Sequence, residues 1–520
     1  MPLNQSQLDH LSLFAKTIRG LSIDAIETAG CGHPGLPLGC AEIGAYLYGY
    51  ALKINPKDTS WMNRDKFVLS AGHGSMLLYA CMHLTGFDVS VDDLKSFRKF
   101  KSCTAGHPEY GEIPGIETTT GPLGQGFATS VGMALANCYY RDAFQLSGLI
   151  DSNIVSLVGD GCMMEGVCSE AASLAGHLKL SNLICFYDSN DVCLDGPLSE
   201  SMSEDTSKRF ESYGWTVVTI NGHSFDEIDE AYQKALANDT SPTLIVAKTV
   251  IGYGAPNVAG SSESHGKALG EKEAVLTKQA LNIPEEPLFF VDDQLKKSCH
   301  DHINQMIGGY DDWIQRFDTW TRDFPDEAKV LAKDIDAHDL KNKLMVLSVV
   351  ENKATRAISN HVIQSLYDMN QKIIGGSADL SCSDSTGFKQ SSFMSADAYQ
   401  ERNIKYGVRE FAMGAICNGL ALSGLLPFCG TFFVFSDYMK NAIRLAALMQ
   451  LPVIYQFTHD SFLLGEDGPT HQPVEHLAGL RSMPGLTVFR PADDAEVKAA
   501  WYFGLTTHQP MALILSRQTV

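Results

Sequence analysis

Two short clusters carry side chains able to hold a metal ion. GDGCMMEG begins at Gly159, DSNDV contains Asn190, and 28 residues separate Gly161 from Asn190. Each cluster follows an apolar run of strand length. If those runs are neighbouring parallel strands, Asp160 and Asn190 emerge side by side as oxygen ligands for magnesium or calcium. The glycines permit a tight turn and close approach of an anion to the backbone. GDG alone is equally a plain strand-to-helix turn, and the spaced asparagine is what gives it chemical meaning.

The second set is histidine: His33, His73, His107, His265, His459 and His471. A lone histidine is ordinarily a surface or satisfied core residue. Here GHPG, GHG, GHP and SHG place four of them beside glycine in short turns. The other two follow or lie near a buried strand. None has the helical H-x-x-x-H spacing of a zinc site. Imidazoles donate and accept near neutral pH, which suits a substrate whose hydroxyl protons move. GPLGQG lacks the Lys-Ser/Thr end of a phosphate-binding loop, which argues against phosphoryl transfer.

Other residues are bland one by one. Arg356 and Arg517 resemble surface arginines, and Ser383 resembles a turn residue. Phe432, Phe435 and Tyr438 in GTFFVFSDY have the spacing of an ordinary strand core. Glu410 is less ordinary. It precedes 26 residues, Phe411 through Ser436, without an acidic or basic side chain, and carboxylates are rarely buried without compensation.

These residues need a frame, and the chain repeats one. A short apolar run ends in a polar or glycine-rich cluster, and a helical stretch follows. The runs are NIVSLVGDG, NLICFYDSND, TVVTING and PTLIVAKTVIGYG, then KIIGGSADL, PFCGTFFVF, PVIYQFTHDS, LTVFRPAD and MALILSRQ. This alternation predicts α/β architecture: two doubly wound, mostly parallel sheets with ligands beyond the carboxyl ends of the strands. The apolar run reads as a helix over 409–424, a turn at Leu426-Pro427 and a strand over Phe428–Phe435. Residues 284–340 read as helices on a connecting arm.

Composition bounds the function. With 520 residues, 44% hydrophobic and a net charge of −21, the chain suits a large globular protein and not a nucleic-acid binder. Its 13 cysteines form no C-x-x-C and read as reduced thiols. MPLNQSQLDH does not read as a signal peptide. Glycines, Pro427 and Asn418 punctuate 411–436 and argue against a membrane span.

From about Thr17 to Arg517 the sequence resembles the thiamine-diphosphate-dependent transketolases. GHPGLPLG, SAGHGSMLLY, GHPE, TTGPLGQG, GDGCMMEG, GGSADL, YGVREFAMGAI, THDSFLLGEDGPTHQPVEHL and RPAD carry the resemblance. It implies Mg2+ or Ca2+ held by Asp160, Asn190 and the Val192 carbonyl. It implies diphosphate contacts from Gly161 and His73, and contacts along the rings from Gly121, Pro122 and Leu123. Phe435 would stack on the pyrimidine, and Glu410 would hydrogen-bond its N1′. His33, His107, His265 and His459 would bind donor hydroxyls and aid proton transfer, His265 also touching the cofactor. His471 would serve the C3 hydroxyl. Arg356, Ser383 and Arg517 would hold the substrate phosphate, and Asp467 would read a hydroxyl. The catalytic set so implied is Glu410, His471, His33 and His265.

The sequence departs from the family pattern in places. Cys382 stands for a usual proline, Asp384 for asparagine and Ser189 for a frequent aspartate, and Phe411 stands where some relatives carry histidine. An acid at 384 should weaken a phosphate site unless it points away.

The implied domains are a diphosphate-binding domain over 1–284, a helical linker over 285–340 and a pyrimidine-binding domain over 341–520. The family's third domain has no counterpart here. The implied function is transfer of a two-carbon ketol unit from a ketose phosphate to an aldose phosphate, in the pentose phosphate pathway. A cytoplasmic homodimer with active sites between subunits is expected, with no nucleic-acid or membrane partner. Dihydroxyacetone synthase, deoxyxylulose-phosphate synthase or a weakly active regulatory homologue are the competing readings.

Overall fold

A computed structural model describes residues 2–332 and 335–520. Packing divides the chain into two units, Met1–Phe127 with Asp151–Gln315, and Ala128–Ile150 with Arg316–Val520.

The first unit holds a five-stranded sheet: β1 (Lys66–Leu69), β2 (Ile154–Gly159), β3 (Leu183–Ser189), β4 (Thr216–Asn221) and β5 (Thr243–Lys248), in the order β1-β2-β3-β5-β4. Every pairing is parallel. β3 is buried along its whole length, which is why it reads as an unbroken apolar run. The helix Gln5–Ala29 starts in a capping box formed by Asn4 and Gln7. It ends at Gly30 in the left-handed conformation, just before the first histidine turn.

The second unit holds a six-stranded sheet: β6 (Ile373–Ser377), β7 (Asn403–Lys405), β8 (Leu426–Phe432), β9 (Ile454–Thr458), β10 (Thr487–Phe489) and β11 (Met511–Ile514), in the order β10-β11-β9-β8-β6-β7. Its pairings are again all parallel. The nine expected runs are strands, and β1 and β7 are additional. Both lie at sheet edges, where a single partner suffices and a run of three or four residues is enough.

The apolar run after Glu410 corrects the expected boundaries. The helix is Glu410–Leu422, the turn falls at Gly424 with φ +87°, and β8 already includes Leu426 and Pro427. Pro427 pairs only on the β6 side, because the β9 pairing begins at Phe428. Its missing N–H therefore costs little. The chain leaves the strand at Phe432 and runs through Phe433–Met439 as a 3-10 helix, which puts Phe435 beyond the strand end.

The helix Glu410–Leu422 is buried nearly all round, as a helix with apolar side chains on every face must be. It packs against Ala128–Ala143 of the helix Gln125–Ala143 at backbone distance. A Cβ on Gly132 would lie 2.1 Å from the Ile416 carbonyl oxygen, and one on Gly419 would lie 2.1 Å from that of Thr129. The expected arm is helical over Asp293–Asp323, Pro325–Ala332 and Ala337–Val346. Among the described residues no helix is long and apolar enough to cross a membrane.

Candidate active site

In the first unit, Asp160 opens a short helix immediately after β2, and Asn190 follows β3. These strands are neighbours with Gly159 opposite Asp188, so the two side chains leave adjacent strand ends. Asp160 is buried. Its Oδ1 accepts from the Tyr187 hydroxyl. Its Oδ2 has no hydrogen-bond partner among the described residues. Burial pushes the carboxyl up to about 6 against the lowering effect of the Tyr187 hydroxyl. Asn190 Nδ2 donates to Asp188 at 2.9 Å, which orients the amide. Its Oδ1 accepts the Val192 N–H at 3.1 Å and keeps a second lone pair.

A cavity of about 660 Å3 opens over this pair. His33, His73 and His265 line it, as do Gly121, Leu123, Gly161 and Val192. Pro122 sits between two lining residues and is not on the wall. His107 stands beside His33, with ring centres 6.3 Å apart. His33 and His73 are 5.1 Å apart, and His73 stacks on His265 at 5.1 Å. Burial holds all four imidazoles below their usual range, His33 at about 4 and His73 at about 3. They are neutral at physiological pH and can both donate and accept.

Arg98 is a member of this cluster that sequence reasoning missed. Its Nη2 donates to His33 Nδ1 at 3.3 Å, and its charge adds to burial in depressing His33 and His107. Because the guanidinium can only donate, His33 Nδ1 is the acceptor and the ring proton lies on Nε2. The only hint in the sequence is its position nine residues before His107.

In the second unit His459, Ser383 and Arg517 come soon after strand ends, Arg356 and Glu410 stand in the first turns of helices, and Asp467 and His471 lie between β9 and β10. His459 directly follows β9 and is held at φ +60°, a conformation a β-carbon disfavours and functional sites often retain. Its Nε2 accepts from Arg356 at 3.4 Å, so Nδ1 carries the proton toward Thr458 Oγ1 at 2.9 Å. Burial, then the charges of Arg356 and Arg517, holds His459 at about 4, while the Asp467 carboxylate acts the other way. Phe432 lies 3.7 Å from the His459 ring and stacks on Phe435, which lies 5.3 Å from His471. Arg356 also donates to the Ser383 carbonyl. Arg517 pairs with Glu466. Asp467, the next residue after Glu466, is exposed.

Ser383 is positioned by a buried polar chain. Trp501 Nε1 donates to Ser359 Oγ, Ser359 Oγ to Gln456 Oε1, and Gln456 Nε2 to the Asp384 carbonyl, at 2.8, 2.6 and 2.8 Å. The Asp384 side chain is fully buried and turned inward, accepting from Ser377, from the Thr386 N–H and from the Thr386 hydroxyl. It thus points into the fold and not at a phosphate. Glu410 is 8% exposed in the first turn of its helix. There the helix dipole favours a negative charge and burial opposes it.

Two family models match this chain. "Transketolase, thiamine diphosphate binding domain" covers residues 11–339, and "Transketolase, pyrimidine binding domain" covers residues 351–520. The chain belongs to the transketolase family. The transketolase of Geobacillus stearothermophilus is 49% identical over 516 residues, spanning 97% of this chain and 77% of that protein. The solved transketolase of Leishmania mexicana superposes with a TM-score of 0.95 at 38% identity, over 98% of this chain and 77% of that one. A Pichia stipitis transketolase, solved with sedoheptulose 7-phosphate, gives 0.93 at 39% identity over 98% and 78%.

The residues present fit the cofactor of this transketolase fold. A buried carboxylate oxygen without a partner among the described residues, beside an amide oxygen with a spare lone pair, is a partial oxygen shell for a hard divalent cation. The cavity wall is close at Gly161, where a Cβ would lie 2.8 Å from Leu123 Cδ1 and push that side chain aside.

Proposed function

We propose that the protein is a transketolase, moving a two-carbon ketol unit from a ketose phosphate to an aldose phosphate in the pentose phosphate pathway. The observation that carries this reading is the pairing of Asp160 and Asn190 at adjacent strand ends beneath a wall of neutral histidines. A solved Pichia stipitis relative is a complex with xylulose 5-phosphate. That supports sugar phosphates as substrates here.

Asp160, Asn190 and the Val192 carbonyl would hold Mg2+ or Ca2+ and through it the diphosphate, with His73 and Gly161 beside it. Gly121 and Leu123, which line the cavity, would flank the rings, with Pro122 between them in the chain. Bound thiamine diphosphate supplies the carbon nucleophile and the electron sink for cleaving the bond between C2 and C3 of the ketose.

This chain's residues supply the rest. Glu410 would hydrogen-bond the pyrimidine N1′, and Phe435 would stack on that ring. His33, His107, His265 and His459 are neutral; His33 keeps its Nε2–H to donate to a sugar hydroxyl, whereas His459 would exchange its Arg356 or Thr458 contact for one. His471, supported by Thr470 at 2.9 Å, stands for proton removal at the C3 hydroxyl. Arg356 and Arg517 hold the phosphate beside Ser383, and Asp467 accepts from a sugar hydroxyl. A homodimer would bring the diphosphate end in one subunit to the pyrimidine wall of the other. Thirteen free cysteines, most of them buried, support a reducing compartment such as the cytoplasm.

The test is a substrate panel with thiamine diphosphate and Mg2+. Xylulose 5-phosphate plus ribose 5-phosphate should turn over. Preference for formaldehyde as acceptor would indicate a dihydroxyacetone synthase, and for pyruvate with glyceraldehyde 3-phosphate a deoxyxylulose-phosphate synthase. Cofactor binding without turnover would indicate a regulatory homologue.

A further inference from the structure

Behind the histidine wall of the first unit lies a buried ionic chain that the mechanism does not use. Arg19, on the helix Gln5–Ala29, donates from Nε to the Leu38 carbonyl at 2.9 Å and from Nη2 to Glu42 Oε2 at 2.6 Å. The same Glu42 oxygen accepts from His223 Nδ1 at 3.1 Å. His223 Nε2 accepts the Val250 backbone N–H at 3.0 Å. An amide N–H can only donate, so Nε2 is bare and the ring proton lies on Nδ1, aimed at Glu42. Burial alone would raise the Glu42 carboxyl, but the His223 and Arg19 contacts outweigh it and hold it below the usual range. The carboxylate is thus charged and fixes the imidazole tautomer, as an outer-shell carboxylate does for a ligating histidine. The His223 ring also stacks on Tyr253 at 4.2 Å, and the Arg19 guanidinium lies 4.6 Å over that same ring.

The anchored segment leads to the cavity. Ile251, next to Val250, lines it together with His265. The Gly252 N–H donates to the Gly35 carbonyl at 3.0 Å, two residues beyond His33. Ile251 packs so closely on Gly35 that a Cβ there would lie 2.6 Å from Ile251 Cγ1. Ser264, the residue before His265, crowds the same glycine through its carbonyl oxygen. The spacing of His33 and His265, with ring centres 6.0 Å apart, thus depends on where Val250–Gly252 docks.

We propose that His223 is a positioning residue. By accepting the Val250 N–H while Glu42 and Arg19 hold its ring, it sets the loop that presents Ile251 and His265 to the thiamine-diphosphate and sugar site. The inference rests on the proposed function for the identity of the ligands, and on the observed contacts alone for the loop.

Two variants separate its parts. His223→Phe keeps a ring to stack on Tyr253 and deletes both hydrogen bonds. His223→Gln retains an amide donor and acceptor and loses the ring. Thiamine diphosphate affinity with Mg2+, read by calorimetry, should weaken about tenfold or more in His223→Phe and recover to within about threefold in His223→Gln, the scale typical of outer-shell partners. In the steady state, the KM for the ketose donor should rise in His223→Phe with kcat changed less than about threefold. Unchanged affinity and KM in a folded His223→Phe protein would overturn the proposal and, if His223→Gln alone weakened binding, mark the ring as mere packing; equal losses in both variants would overturn it too, since restored hydrogen-bonding groups would then make no difference. Should the wild type bind cofactor but turn over no sugar phosphate, the functional reading fails while the calorimetric comparison still decides the role of His223.

Discussion

Asp384 stands next to the serine expected at the substrate phosphate, yet its carboxylate receives three donors from the interior. An asparagine there would turn an amide N–H toward at least one of them. Asp384→Asn is therefore expected to destabilise the protein by about 1–3 kcal/mol and to change the KM for a phosphorylated donor less than about twofold. Chemical denaturation and initial rates check this, and a large KM change without loss of stability would contradict it.

The depressed histidines make a second statement at this scale. His459 titrates near 4 in the fold against 6.5 outside it. Between those values the unfolded chain binds the proton that the folded chain refuses, so stability falls as pH falls through that window. Melting temperature should drop from pH 7 to pH 5, and less steeply in His459→Gln. Identical slopes would exclude the effect. Five of the six histidines stand out in the sequence because each sits in a short glycine turn or directly after a strand; His471, in the 3-10 helix Pro469–His471, does not. Arg98 and His223 do not either, since the sequence gives no sign of where the tip of either side chain arrives.

Among the elements, the helix pair of the second unit is the sharpest case. Alanine is a better helix former than glycine by about 1 kcal/mol. At Gly132 that gain loses to a collision with the Ile416 carbonyl oxygen, 2.1 Å from the new Cβ. Backbone cannot move aside as a side chain can, and overpacking of this kind typically costs about 1–3 kcal/mol or more. Gly132→Ala should thus lower stability by about 2 kcal/mol or more in urea unfolding, and an unchanged or raised midpoint would contradict the packing.

The alternation of apolar runs and polar ends makes nine strands readable in the sequence. β1 and β7 are not, although the equally short edge strand β10 is, through the RPAD cluster that follows it. The end of β8 is hard to read as well. Phe433 and Phe435 are as strand-like as Phe428, and what ends the strand is the pairing with β9, which stops at Phe432. Packing also puts Ala128–Ile150 in the second unit. That is a long-range contact with Glu410–Leu422, which no local pattern announces.

For the whole molecule, the proposed homodimer predicts that specific activity falls on dilution together with the dimer fraction seen by sedimentation. Activity that is constant while the dimer dissociates would show that one chain suffices. The net charge of −21 argues against nucleic-acid binding as the main task, and the family motifs point to the reaction class, because cofactor sites demand fixed residues at strand ends. What no sequence pattern supplies is the support behind those ends, the chains through Gln456 and Glu42.

The central claim is ketol transfer through a cofactor that Glu410 activates. Its most direct test is the formation of sedoheptulose 7-phosphate from xylulose 5-phosphate and ribose 5-phosphate, at saturating thiamine diphosphate and Mg2+, by the wild type and by Glu410→Gln. Loss of a positioned acid–base group costs about 10²–10⁴-fold. The account predicts robust product from the wild type and a drop of at least about a hundredfold in the variant with cofactor still bound. Near wild-type turnover by Glu410→Gln would contradict it.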